Sequence, residues 1–259
     1  YHLLKHQYEV ESRKMIMMAL WMLAIVAPLQ ALVGDQHGLN TLEHQPIKVA
    51  AMEGHWHPAE EGEGVPLVLF AWPDNDSETN HFSLEIPNLA SLILTHSLDG
   101  DIPALTSVAK EDRPNVALVF WSFRIMVALG IAMIVLAWAG LWLNRKQSLF
   151  QRTRFLQVLV CMGPSGLVAL LAGWFVTEVG RQPWVVYGVL RTVEASSAHS
   201  VQTMTLSLAS FVIGYLAGFG LGIFYLIQLL RKGPQVTSDA PLSAQRPARP
   251  LSAVNDLIN

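Results

Sequence analysis

Long apolar runs alternate with polar stretches along this chain, and the length of the runs sets the first prediction. A helix needs about 20 mostly apolar residues to cross the hydrocarbon of a bilayer. Four runs reach that length, 15–33, 116–143, 155–177 and 203–230, and each is read as a transmembrane helix. Pro28 and Pro164 fall inside runs, which neighbouring helices and water tolerate at membrane depth. Gly214, Ala217, Gly218, Gly220 and Gly222 crowd the fourth run, a pattern suited to close helix contact. Residues 34–115 are too many for a mere connection between the first two runs. Within them EHQPIKVAAMEGHW reads as a surface helix, and VPLVLF and HFSLEI read as strands around the turn-rich PDNDSE. A second, shorter loop covers 178–202 and begins EVGRQPW. The tail after Gly233, rich in Pro, Ser and Ala, reads as disordered. The expected fold class is an all-α integral membrane protein, a helical bundle with four transmembrane helices and one large extracytoplasmic loop.

Charge orients the bundle. Lys5, Arg13 and Lys14 precede the first run, Arg145, Lys146, Arg152 and Arg154 lie between the second and third, and Arg231 and Lys232 follow the fourth. These segments, 1–14, 144–154 and 231–259, share one side, which the excess of Lys and Arg makes cytoplasmic. The 34–115 loop carries fourteen acids against Lys48, Lys110 and Arg113, and with 178–202 it is expected outside.

Composition agrees with a membrane location: 52% of residues are hydrophobic and 14% charged, with a mean hydropathy of +0.36. No basic patch with interleaved aromatics suggests nucleic acid. The single cysteine, Cys161, lies in an apolar run, which excludes an intrachain disulfide or a paired-cysteine metal site and suggests a small packing side chain. The opening YHLLKHQYEVESRK is too polar and acidic for a signal peptide, and the chain reads as a piece of a longer one.

Charges inside spans are costly, so they mark pathways, partners or bound anions. Arg124 lies inside the second run, where the alternative is a structural ion pair. Met126 follows two residues later, about 200° round the helix, so the two cannot serve the same face. Met126 shares its face with Ser122, Phe123, Leu129 and Gly130, which leaves room beside a thioether for a flat macrocycle, although a methionine in a span can equally be packing. Glu178 closes the third run with Trp174 one turn earlier on the same face; the alternative is a boundary carboxylate paired with Arg181. In the outer loop, Lys48, Glu53 and, in GDQHG, Asp35 and His37 are titratable residues to which spacing alone assigns no chemistry. For Lys48 and Glu53 the bland alternative is an exposed helix with scattered charges. Their five-residue spacing puts them about 140° apart on a continuous helix. Either that helix breaks near Ala51, or a ring lies across its end with one group at each edge.

GWFVTEVGRQPWVVYGVL (173–190), FWSFRIMV (120–127) and EHQPIKVAAMEGHW (43–56) resemble, in order and beside the expected spans, the signature segments of subunit I of cytochrome bd-type quinol oxidases. The likeness covers nearly the whole chain except the tail, and it is to the C-terminal half of that subunit. It implies that Met126 ligates a low-spin haem b, with Arg124 beside that haem holding a propionate. It implies that Glu178 ligates a high-spin haem b, with Trp174 against the macrocycle and Arg181 near the propionates. Lys48 and Glu53 match the pair used at quinol oxidation, a cation to orient a quinone oxygen and a carboxylate to take a proton. Thioether and imidazole ligation suits an acceptor of electrons from quinol. The resemblance places the histidine partner of Met126, and the ligands of the oxygen-binding haem, in a segment before Tyr1.

The stretch from Trp56 to Trp121 is short, which resembles the short-loop form, and VVYGVLRT looks like the cyanide-insensitive subgroup. The oxygen-binding group is therefore expected to be haem d or a third haem b. The implied protein is a quinol:oxygen oxidoreductase of the bacterial cytoplasmic (inner) membrane. Its expected partners are membrane quinol, a subunit II and a small single-helix subunit. In it electrons would run from quinol through haems b to oxygen, forming water and separating charge without pumping. The rival is a transporter or channel subunit in which Arg124 and Glu178 line an ion path, and it predicts no chromophore.

Overall fold

The structure, a computed structural model, describes residues 1–59, 63–195 and 200–232. Among the described residues, four helical segments are long and apolar enough to cross a membrane. The first, α1 (Glu9–His44), carries Pro28 inside it and runs straight through GDQHG, ten residues or so beyond the expected apolar span. After it come the short α2 (Pro46–Glu53), an antiparallel hairpin of β1 (Leu67–Asp74) and β2 (Thr79–Ile86), and α3 (Leu89–Thr95). The second span is α4 (Val116–Arg145), begun by Asn115, whose side chain accepts from the Leu118 N–H at 3.1 Å. The third is split into α5 (Thr153–Cys161) and α6 (Ser165–Gly180). The sequence reading of one continuous helix over 155–177 is thus corrected: the chain turns through Met162–Pro164, because proline lacks the N–H that a helix interior would need. Cys161 ends α5 with its side chain exposed, not packed. A small hairpin, β3 (Trp184–Val186) with β4 (Leu190–Arg191), precedes the last span, α7 (Val201–Lys232). The tail expected from 231 on lies, from 233, outside the described residues.

Two clusters hold the bundle. At one end Leu20 of α1, Leu143 of α4 and Leu149 pack with Ile16, Met17, Phe150 and Phe155, and the Arg13 guanidinium lies over the Phe150 ring. The basic segments 1–14 and 145–154 therefore meet at one end. At the other end α2 sits on α4 and α6: Ile47, Ala50 and Ala51 pack with Val116, Val119 and Val176, closed by Trp56 and Leu105. Between the ends, apolar side chains face outward; Trp21, Trp138, Leu170 and Phe219 are each more than half exposed, and α7 has no buried residue. Such surfaces are stable against lipid tails or further helices and not against water.

The hairpin is shaped by its turn, where the Asp74 carboxylate accepts from the Asp76 N–H at 3.0 Å and the Ser77 hydroxyl at 2.7 Å. Val68 and Ala71 of β1 pack on Phe120 of α4. The two strands expected around PDNDSE are present, each reaching further than the apolar run that announced it.

Candidate functional site

The residues that set the site are those that fix α2. Pro46 occupies its first turn, where a missing N–H is harmless. Gly54 ends it with φ +67°, and a Cβ there would lie 3.2 Å from the Phe120 ring, so both conformation and space demand glycine. Asn80 of β2 then pins the exit, donating to the Gly54 carbonyl at 2.8 Å and accepting from the Trp56 indole at 2.9 Å. The helix is continuous through Ala51, so of the two arrangements open from sequence, the one that breaks the helix there is excluded.

Lys48 and Glu53 accordingly point to different neighbours. The Lys48 stem crosses Gly180 at the end of α6, where an added Cβ would be 3.0 Å from its Cγ. Burial lowers the Lys48 ammonium below its ordinary value, with Glu178 opposing and Arg181 assisting. Glu53 is buried and forms a 3.0 Å ion pair with Arg124. Burial pushes its carboxyl above the ordinary range even though Arg124 pulls the other way.

Arg124 reaches α2 and β1 together. Besides Glu53 it donates to the Val68 carbonyl through Nε at 3.0 Å and to the Met52 carbonyl. Its guanidinium lies 4.1 Å from the Phe120 ring centroid. The structural ion pair weighed for Arg124 is therefore present, and its partner is the carboxylate expected to serve quinol. Met126 turns the other way, toward α6, as the 200° separation requires. A Cβ on Gly173 would stand 2.9 Å from its Sδ, and a Cβ on Gly130, one turn along α4, would meet nothing within 4 Å.

Glu178 and Trp174 share the outward face of α6, with Trp174 more than half exposed. Arg181 donates to the Glu178 carboxylate at 2.6 Å, the pairing weighed as the plain alternative. Asp35 and His37 are exposed on the last turns of α1. Candidate residues thus fall in three places: Glu53 with Arg124 under α2, Met126 in the seam between α4 and α6, and Lys48 with Glu178 and Arg181 at the C-terminal end of α6. Sequence reasoning missed the residues that seat them, Gly173, Gly180, Asn80 and Phe120, together with His55, whose only sign was its place in EGHW.

These donors fit haem. Among the described residues no cluster of three or more His, Cys, Asp or Glu could hold a free metal ion. One thioether in a glycine notch with open space beside it, and one carboxylate, paired with Arg181, beside an exposed indole, suit one axial ligand and one flat macrocycle each.

The sequence profile of the cytochrome bd terminal oxidase subunit I family matches residues 1–234. The cytochrome bd ubiquinol oxidase subunit 1 of Bacillus subtilis (strain 168) is 30% identical, over 82% of this chain and 47% of its own length. The cytochrome bd-II ubiquinol oxidase subunit 1 of Escherichia coli (strain K12) is 29% identical, over 86% of this chain and 55% of its own. Among solved structures, the bd oxidase from Geobacillus thermodenitrificans superposes with a TM-score of 0.77 at 30% identity, covering 90% of this chain and 52% of that one. The chain spans about half the length of the curated relatives it matches.

Proposed function

The chain belongs to the cytochrome bd terminal oxidase subunit I family, and from that premise we propose that it forms the quinol-oxidising, haem-ligating part of a respiratory terminal oxidase in a bacterial cytoplasmic membrane. The observation that carries the reading is the placement of Glu53: a buried carboxylate on a helix that caps α4, joined by Arg124 to the same span that carries Met126. Oxidising a quinol releases two protons and two electrons. A carboxylate whose affinity for protons is raised by burial takes a phenolic proton more readily than an exposed one, while Lys48 at the other edge of α2 orients the second oxygen.

Met126 and Glu178 would each supply one axial ligand, the thioether to a low-spin haem b and the carboxylate to a high-spin one; bound there, haem supplies one-electron transfer and the route toward oxygen reduction. Trp174 stacks at the second site. Arg181 answers propionate charge there, and Arg124 does so at the first from the side of its guanidinium away from Glu53. Haem d or a third haem b, a subunit II and a small single-helix subunit complete the assembly.

The test is turnover of the assembled oxidase with Glu53→Gln, which keeps shape and hydrogen bonding but deletes the base. Oxygen uptake driven by a short-chain quinol should fall by about a hundredfold or more, while an artificial donor that reduces the low-spin haem directly still supports it. Undiminished quinol turnover returns Glu53 to a purely structural role.

A further inference from the structure

Glu53 can hold one proton, and each quinol yields two, so the carboxylate must pass its proton on before it can act again. It is buried and tied to Arg124, so the next carrier has to be built into the protein. A cavity of about 350 Å³ opens beside it, and Glu53, His55, His57, Glu63, Glu78 and Glu85 all contribute to its walls. His57, Glu63 and Glu85 are exposed and Glu78 is half-buried. His55, like Glu53, is buried: it is 9% exposed, and its Nε2 is buried with no hydrogen-bond partner among the described residues.

The ring is held in place. The His55 N–H donates to the Ala50 carbonyl and the His55 carbonyl accepts from the Leu105 N–H, both at 2.9 Å. Nε2 is the ring nitrogen that no described residue hydrogen-bonds. In the neutral tautomer that carries its proton on Nδ1, Nε2 is the lone-pair nitrogen, which is the form of a base.

We propose that His55 is the proton-relay residue of this site: it receives at Nε2 the proton that Glu53 takes from quinol and releases it through the cavity to the outer face. The inference rests on the functional reading above. In each turnover the two O–H bonds of the quinol break in succession: the first proton moves to Glu53, then to His55 and out through the cavity, which frees Glu53 to take the second by the same route. A haem held at Met126 would take up the two electrons one at a time. His55 acts through Glu53 and does not touch the reacting ring. Its electrostatic neighbours are Asp101, which favours the charged ring, and His57, which opposes it; burial outweighs both and holds the imidazole below its ordinary range. The relay is therefore neutral and ready at neutral pH.

His55→Asn keeps a donor where Nδ1 stands and removes Nε2. In the complete oxidase this variant should retain its reduced haem spectrum and its oxygen uptake from an artificial donor, while short-chain quinol turnover falls about tenfold or more in kcat with KM little changed. Asp101→Asn, an exposed change with little bearing on folding, should lower the affinity of His55 for protons. Its acid limb of quinol turnover then moves to lower pH, whereas a limb set by Glu53, which burial and Arg124 govern, would stay unmoved. Wild-type turnover and pH profile in His55→Asn overturn the relay. Should that variant lose its haems, an unmoved acid limb in Asp101→Asn overturns it instead. Failure of the functional reading looks different, since the unaltered complex would then show neither haem nor quinol turnover.

Discussion

Arg124, inside the apolar helix α4, donates to Glu53 of α2 at 3.0 Å across 71 residues of sequence. The pair joins the span that carries Met126 to the element that carries the proposed quinol base. A buried pair is costly to break from one side, because the partner left behind keeps its charge without an answer. Arg124→Met strips Glu53 of that answer and leaves the Val68 and Met52 carbonyls without their donor. It should destabilise the detergent-solubilised protein by about 3–5 kcal/mol. Glu53→Gln should cost less, because Arg124 keeps both carbonyls and the Phe120 ring. Thermal melts of the two variants check the order, and equal losses would contradict it.

Glu53 also makes stability depend on pH. Burial raises its carboxyl above the ordinary 4.5, so the folded state holds the proton more tightly than the unfolded chain. Its contribution is fully present below pH 4.5 and is lost as pH rises through the raised value. Glu53→Gln lacks this loss, so the melting temperature of the variant relative to the parent should climb between pH 4.5 and neutrality. A gap that stays constant or narrows with rising pH would show that the Arg124 charge dominates.

Gly173 is the notch in which the Met126 sulfur rests, with an added Cβ only 2.9 Å from Sδ. The end of a methionine side chain moves easily, so Gly173→Ala should leave insertion and folding intact while displacing the sulfur. The expected result is a weakened or altered low-spin haem band with the high-spin signal retained, and Gly173→Val should abolish the low-spin band. An unchanged low-spin spectrum in both variants would mean that the sulfur is not held from this side.

The four apolar spans, the hairpin and the short helix at PIKVAAME were legible because each is a local pattern of apolar periodicity and turn chemistry, whereas the extension of α1 to His44 was not, because the helix continues into polar residues that carry no apolar signal. The opposed directions of Arg124 and Met126 were legible too, since helix geometry alone separates them. The partnership of Arg124 with Glu53 was not, because it depends on how α2 and β1 settle over α4. The roles of Gly173 and Gly180 were hidden for the same reason: a glycine in a span looks like any other small residue until its neighbour across the seam is known. The break at Met162–Pro164 was missed because a proline inside a span can kink a helix or interrupt it, and sequence does not decide which.

The two ends of the bundle differ in charge, and the acidic loop 34–115 gathers at the end away from Arg145 and Lys146. The proposed orientation puts this loop outside. Protease added to intact spheroplasts should cut at the exposed turn 75–78 of the hairpin. Protection there, with cleavage only in inverted vesicles, would reverse the orientation and place proton release on the wrong side for charge separation.

The absorption spectrum of the purified, dithionite-reduced complex containing this chain, taken beside the same complex with Met126→Leu, tests the central claim most directly. Leu keeps the volume and removes the sulfur, so nothing but ligation should change. The account predicts low-spin and high-spin haem b bands in the parent, and loss of the low-spin band alone in the variant. A parent with no haem absorption would contradict the account and favour a transporter or channel subunit; identical low-spin bands in both would remove Met126 from the haem.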